Sequence, residues 1–450
     1  MKKIAHTLLF YLLTLSTLQA ATLSSKIHDN SLIVYNGDIA LVHEERDFSV
    51  QTGDTQIVYE DVASTIDTDS VNVKLSDSLL LYSQQYRFDK LTHNKLLDAS
   101  INKKVKVKML QTPQSYETIT AHLLSNDGSF SLVKTAQNEI ITVESKNLIF
   151  EAIPSELITK PSLVWNIKTD KNIKTSMEID YLIKHVSWQS NYILELHKES
   201  ANLSGWITID NRSGKKFTDT DLYVLAGEIN RAQKPQTFYK EARVMMVSDA
   251  MPNEIAHEGY HFYTIPFKVT LADNEKTQIK FINKNNISIN RTYSAMLSNP
   301  TFVESETEHD VTQYINFKTT DFILPRGVIR TYSQIKETNI LLGESNIGHT
   351  PKETPLTLKL GQNFDLKVTQ TLLKRDDNNN YYEADILYSI HNSSNEAKTV
   401  DLLIPFAKDS KNTIESTKSY IFTKGNLATF TLKMQAESRE SFKVNFKIKR

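Results

Sequence analysis

The chain has 450 residues, no cysteine, and 52 basic side chains against 53 acidic ones. Without cysteine there are no disulfides, no thiolate catalysis, no cysteine-held zinc and no lipid-bearing cysteine at a processed N-terminus. The near-cancelling charge supplies no overall field for a nucleic-acid backbone or an anionic membrane, so stability must come from a buried core, which a chain this long can form.

The first residues read as an export signal over residues 1–20. Met1-Lys2-Lys3 is a cationic start, Ile4 to Leu18 is apolar, and Ala20 is a small residue at the expected cut. Export to the periplasm or out of the cell follows, with no transmembrane helix after cleavage, because no later stretch is apolar over the roughly 20 residues a span needs. From there on the dominant signal has period two: "SLIVYNG", "TQIVYEDV", "KVKVKML", "NYILELH", "GWITIDN" and "FKVNFKIK" alternate or are rich in β-branched and aromatic residues. Asn, Asp, Gly and Ser clusters separate them. Short alternating runs punctuated by turn chemistry specify an all-β fold, here tandem β-sandwich or barrel-like domains with one short helix in the N-terminal half.

Residues 22–152 form the first expected domain. It contains a helix over 90–102, where Leu91, Leu96, Leu97 and Ile101 lie near helical spacing and Thr92 can cap the start. A small curled sheet is expected over 103–150, turning at Asn126-Asp127-Gly128. The two prolines of "AIPSELITKPSL" mark a boundary, and residues 160–345 are expected to be a central β-sandwich region. There Trp188, Ser190, Tyr192, Leu194 and Leu196 share one face of a strand. A hairpin turning at 211–214 follows, with Ile207 and Ile209 on one face. Residues 350–450 are expected to form a C-terminal β-sandwich. No repeat of fixed period is visible.

"HEGYH" spells the H-E-x-x-H pattern in which, on a helix, His257 and His261 bind zinc and Glu258 acts as base. Gly259 disfavours a helix by about 1 kcal/mol relative to alanine, and the following "YHFYTIPFKVTL" has strand composition. We expect strand here, with a zinc-dependent hydrolase as the alternative. "DDNNN" (376–380) lacks the glycine and glutamate of a calcium loop and is expected to be a hairpin tip. Trp165, Trp188 and Trp206, with Tyr192, are expected to be core aromatics or an aromatic platform. Nothing in the sequence marks a catalytic residue or a cofactor site.

Several segments resemble the bacterial domain-of-unknown-function family 4139, described as mucoidy-inhibitor A-like. They are "VYNGDIALVHEERDFSVQTGDTQIVYEDV", "IDYLIKHVSWQSNYILEL", "LSGWITIDNRSGKKFTDTDLYVLAGEINR", "YHFYTIP" and "LPRGVIRTYSQ". The resemblance rests on Trp188, Tyr192, Gly205, Trp206, Asn211, Gly214, Ala226 and Gly227. It implies a β-rich exported protein and carries no activity with it. Many such proteins hold a long coiled coil where this chain has only its short helix. The expectation is a non-enzymatic binding or scaffold protein of the cell envelope, whose partner is an envelope protein, peptide or glycan and not a nucleic acid.

Overall fold

The computed structural model describes residues 20–226, 254–257 and 260–449, apart from 77, 113–114, 408, 410 and 424. The expected leader therefore lies outside the described residues except for Ala20. The fold is all-β, in several sheets, and the described residues divide into two compact units. The first takes residues up to Ser187 together with Asp210–Glu228 and Phe262–Lys276; the rest of the chain forms the second. Among the described residues no helix is long and apolar enough to cross a membrane.

The first unit opens with β1 (Ala20–Tyr35), β2 (Ile39–Val50), β3 (Gln56–Glu60), β4 (Asn72–Lys74) and β5 (Leu79–Arg87). Helix α1 (His93–Ala99) follows, and then β6 (Lys104–Thr112), β7 (Ser115–Asn126), β8 (Phe130–Thr135), β9 (Ile140–Glu144) and β10 (Leu148–Ile149). β11 (Ser162–Thr169) and β12 (Ile173–Lys184) return to the opening strands. β13 (Val186–Leu196) and β14 (Ser200–Asn211) lead into β15 (Phe217–Ala226), β16 (Glu254–His257), β17 (Tyr260–Thr264) and β18 (Val269–Leu271).

One layer has the order β15-β1-β2-β12-β4, and a second is built from β3, β11 and β5. Burial alternates along β2, so that Ala40, Val42, Glu44, Arg46, Phe48 and Val50 face inward. Ile57 and Tyr59 of β3 and Trp165 of β11 meet that row from the other layer.

Strands β6 to β10 make a separate antiparallel sheet in the order β10-β6-β7-β8-β9. The last strand returns beside the first, with Leu148 opposite Val107, so the sheet curls around Val105, Val107, Ala121, Leu123 and Val133. Leu97 of α1 plugs this core. Thr92 caps the helix, accepting from the Lys95 amide at 3.3 Å. The helix is shorter than the 90–102 expected. Ser100 ends it, and Asn102 takes a left-handed φ of 64° that a helix cannot continue through.

The second unit holds a five-stranded sheet and a nine-stranded one. Most of β13 and β14 belong to it, and β19 (Glu275–Ser288), β20 (Asn290–Met296), β21 (Glu306–Thr319), β22 (Gly327–Ile335), β23 (Thr338–Ile347) and β24 (Thr354–Asp377) come next. They are followed by β25 (Tyr381–Asn392), β26 (Lys398–Pro405), β27 (Thr413–Ser416), β28 (Ile421–Thr423), β29 (Leu427–Met434) and β30 (Ser438–Lys449). The smaller sheet runs β19-β14-β13-β22-β23, and the larger β27-β30-β25-β24-β21-β20-β26-β29-β28. The larger sheet folds over a core that includes Tyr388, Phe430 and Phe446.

A repeat is present after all, in the pairings rather than in any fixed period. β15 runs parallel to β1 and antiparallel to β18, while β14 neighbours β13 and β19. Likewise β26 runs parallel to β20 and antiparallel to β29, while β25 neighbours β24 and β30. The turn entering the parallel strand is also repeated. Asn211 Nδ2 donates to the carbonyls of Lys215 (2.9 Å) and Ala272 (3.0 Å), and Asn392 Nδ2 to those of Glu396 (2.8 Å) and Gln435 (2.7 Å). Ser213 and Ser394 each donate a hydroxyl back to their asparagine. Each turn delivers a buried lysine, Lys215 or Lys398, to a carboxylate, Glu44 or Asp365. Insertions of unequal length between the second and third strands of each copy hide the period.

The α1 plug gives a direct check. Leu97→Ala is expected to cost about 2–5 kcal/mol in urea unfolding, as a large-to-small core change does, whereas exposed Leu91→Ala costs under about 0.5 kcal/mol.

Candidate functional site

The inward row of β2 carries two charges where period two calls for apolar residues. Glu44 is 0% exposed and Arg46 3%. Arg46 Nη2 donates to Glu44 Oε2 at 2.7 Å, and the Tyr59 hydroxyl donates to the same oxygen at 2.8 Å. Lys215 Nζ, from a side chain 2% exposed, lies 2.7 Å from Glu44 Oε1 in an ion pair set off the ideal hydrogen-bond angle. It also donates to the Asp61 carbonyl. Arg46 Nη1 reaches the Glu60 carbonyl at 3.0 Å, its guanidinium stacks 4.2 Å from the Tyr59 ring centre, and its Nε has no hydrogen-bond partner.

The turn at 211–215 puts Lys215 there. Gly214 adopts φ +76°, and a Cβ at that position would lie 1.9 Å from Ser64 Oγ, so only glycine lets the turn sit this deep. The Gly214 amide donates to Asp273, and Ser64 donates to the Ser213 carbonyl, so the turn is fixed from two sides.

Burial alone would push the Glu44 carboxyl up. The charges of Lys215 and then Arg46, with the hydrogen bond from Tyr59, outweigh it and hold the carboxyl below its ordinary range. Burial and then Glu44 push the Tyr59 phenol well above its ordinary value, so it stays a donor. Two cations around one carboxylate make a structural clasp, with no free base or nucleophile in it.

Above Lys215 lies a half-open cleft of about 420 Å³. Its walls come from Ile27, His28 and Asn30 of β1, from Asp61, and from the run Lys216, Phe217, Thr218 and Asp219, with Lys268 at the rim. Asn30 Nδ2 donates to the Thr218 carbonyl at 3.1 Å, while its Oδ1 is buried without a partner. His28 pairs with Asp47 at 2.7 Å, and Lys268 with Asp221 at 2.9 Å. The cleft therefore offers both charge signs and the apolar Ile27 and Phe217, which suits a polar ligand of mixed character.

Comparison with models of known protein families finds no match, and comparison with curated proteins finds none either.

The residues singled out in the sequence fall as follows. Glu258 and Gly259 lie outside the described residues, as do the side chains of His257 and His261. The backbone on either side is extended: His257 ends β16, and His261 lies in β17, its neighbouring strand. Among the described residues no group of three or more histidine and acidic side chains is placed to hold a metal ion. "DDNNN" is a hairpin tip between β24 and β25, where Asn378 Oδ1 accepts from the amides of Asn380 and Tyr381.

Trp165 is fully buried in the first unit, tilted against Tyr59 at 5.6 Å, and donates to Gln84 at 2.7 Å. Trp188 and Tyr192 belong to the buried row of β13 in the second unit, and the Tyr192 hydroxyl donates to the Pro325 carbonyl. Trp206 is half-buried, with Lys280 Nζ 5.9 Å from its ring centre. Gly205, Asn211 and Gly214 are close-approach and turn positions; Ala226 is buried, and Gly227 lies outside the described residues.

Glu44, Arg46 and Lys215 are not among the residues that the sequence singles out. The signal for the first two was available: in "ALVHEERDFSV" they fall in phase with Ala40, Val42, Phe48 and Val50. Lys215 had none, because it reaches Glu44 only through the tertiary placement of its turn.

Two expectations follow. Because the folded-state pKa of Glu44 is depressed, its stabilisation is full above the ordinary glutamate value and is lost as pH falls through the folded value. Glu44→Gln is thus expected to cost about 3–5 kcal/mol at pH 7 by leaving buried cations unpaired, and to flatten the fall of stability with acid in urea titrations. For "HEGYH", purified protein is expected to carry less than about a tenth of an equivalent of zinc, unchanged by His257→Ala; a full equivalent removed by that substitution would mean a formed site.

Proposed function

We propose that the chain is an exported, non-enzymatic binding or scaffold protein of the bacterial envelope, and that the cleft above Lys215 receives its partner. The leader-like first 20 residues and the resemblance to the mucoidy-inhibitor A-like family support export. The observation that carries the cleft is Asn30 Oδ1, a buried acceptor without a partner in the wall of a recessed polar site. A buried polar atom left unpaired costs free energy, and a ligand N–H or O–H that meets it once the half-buried Asn30 side chain turns toward the cleft recovers that cost. The clasp beneath is fixed by the charges of Glu44, Arg46 and Lys215, so the cleft is held on a rigid base, as a recognition site requires.

The partner on this reading is an envelope protein, peptide or glycan that presents a donor to Asn30 and a negative group toward Lys216 and Lys268. A photo-reactive residue at position 218, used in envelope extract, is expected to give one discrete adduct. Asn30→Ala should abolish it while leaving the thermal midpoint within about 2 °C, as a near-surface substitution does. No adduct, or one indifferent to Asn30→Ala, removes the cleft from the proposal.

A further inference from the structure

The small curled sheet has an outer face rich in lysine. Along β6, Val105 and Val107 point into the core, which leaves Lys104, Lys106 and Lys108 on the other side. Their partners across the ladder are His122, Thr120 and Thr118 of β7. Lys134 of β8 lies opposite His122. At one end Tyr116, 56% exposed, lies opposite Leu110, and Lys108 Nζ is 4.2 Å from the Tyr116 ring centre. Lys106 is paired at 2.7 Å with Glu151, itself largely exposed. Four lysines and a histidine thus share one surface in a chain whose 52 basic and 53 acidic side chains nearly cancel.

We propose that this face binds an anionic polysaccharide of the uronate class. Successive lysines on a strand repeat every ~6.6 Å, and they stand off the face rather than along an edge, so the ligand lies across the sheet. A peptide recognised by strand addition needs unpaired backbone groups beside its charges. Here β6 is hydrogen-bonded on both sides at Lys106, by β10 and by β7, so that mode is closed at the centre of the patch. The row Thr118, Thr120 and His122 supplies hydrogen-bonding groups for sugar hydroxyls, and the exposed Tyr116 ring supplies a face for a pyranose ring. No arginine lies between residues 104 and 149, so the charge is carried by compact ammonium groups, which pair with a sugar carboxylate without a fixed geometry. This surface is separate from the cleft above Lys215 and uses none of its residues.

The test titrates the full chain with oligogalacturonate at low salt, beside a neutral galactan and poly-L-glutamate of equal charge. Oligogalacturonate is expected to bind, with the affinity falling steeply between low and moderate salt, and the galactan is not. The triple variant Lys104→Gln, Lys106→Gln, Lys108→Gln should bind at least about tenfold more weakly, and Tyr116→Ala about threefold, at an unchanged thermal midpoint. If the triple variant does not fold, Lys108→Gln and Tyr116→Ala singly carry the same comparison. The proposal is overturned if oligogalacturonate does not bind or binds the variants as tightly as the parent. It is also overturned if poly-L-glutamate binds as tightly as oligogalacturonate, because charge alone then explains the surface. Failure here leaves the cleft reading intact, since Asn30→Ala does not touch this face.

Discussion

A carboxylate in the middle of a β-sandwich has to be neutralised where it stands. Glu44 meets that constraint with three groups from three places: Arg46 two residues along its own strand, Tyr59 from the facing layer, and Lys215 from a turn about 170 residues later in the chain. Removing the carboxylate leaves two buried cations without their counter-charge, so the four positions are fixed together. Replacing the whole group with well-packed apolar side chains is often neutral or stabilising. What the clasp contributes is therefore position. It locks the 211–215 turn against β2 and β3, and so sets the floor of the adjacent cleft.

The second copy of the strand pattern shows the same device in a milder form. Lys398 arrives from an equivalent asparagine-serine turn and pairs with Asp365 at 2.7 Å, but that carboxylate is half exposed. Solvent shares the cost there, and no second cation is needed. The turn chemistry thus belongs to the repeated scaffold, whereas the fully buried clasp and the cleft above it belong to the first copy. A site elaborated on one copy of a duplicated scaffold is where a specific role is expected to reside.

The all-β fold was legible because alternation at period two survives in nearly every strand, and helix α1 because Thr92 and its leucines stand out against that background. The row of β13 from Trp188 to Leu196 could be read directly from its spacing. The repeat could not, since it lies in which strands run side by side, and residues 51–172 separate β2 from β12 while only 320–353 separate β21 from β24. The clasp was half legible. Glu44 and Arg46 break an apolar row and could have been flagged. Lys215 looks like any turn lysine until Gly214 and Ser64 show how deep the turn sits. The motifs that drew the eye, "HEGYH" and the tryptophans, are conspicuous by residue type. The clasp is conspicuous only by phase.

The most direct test of the clasp is a double-mutant cycle on Glu44→Gln and Lys215→Met, read by urea unfolding at neutral pH. If the two groups form one unit, the double variant is less destabilised than the sum of the singles by about 1.5–3 kcal/mol. Additivity within about 0.5 kcal/mol would mean that Lys215 and Glu44 act independently, and the account of the clasp would fail.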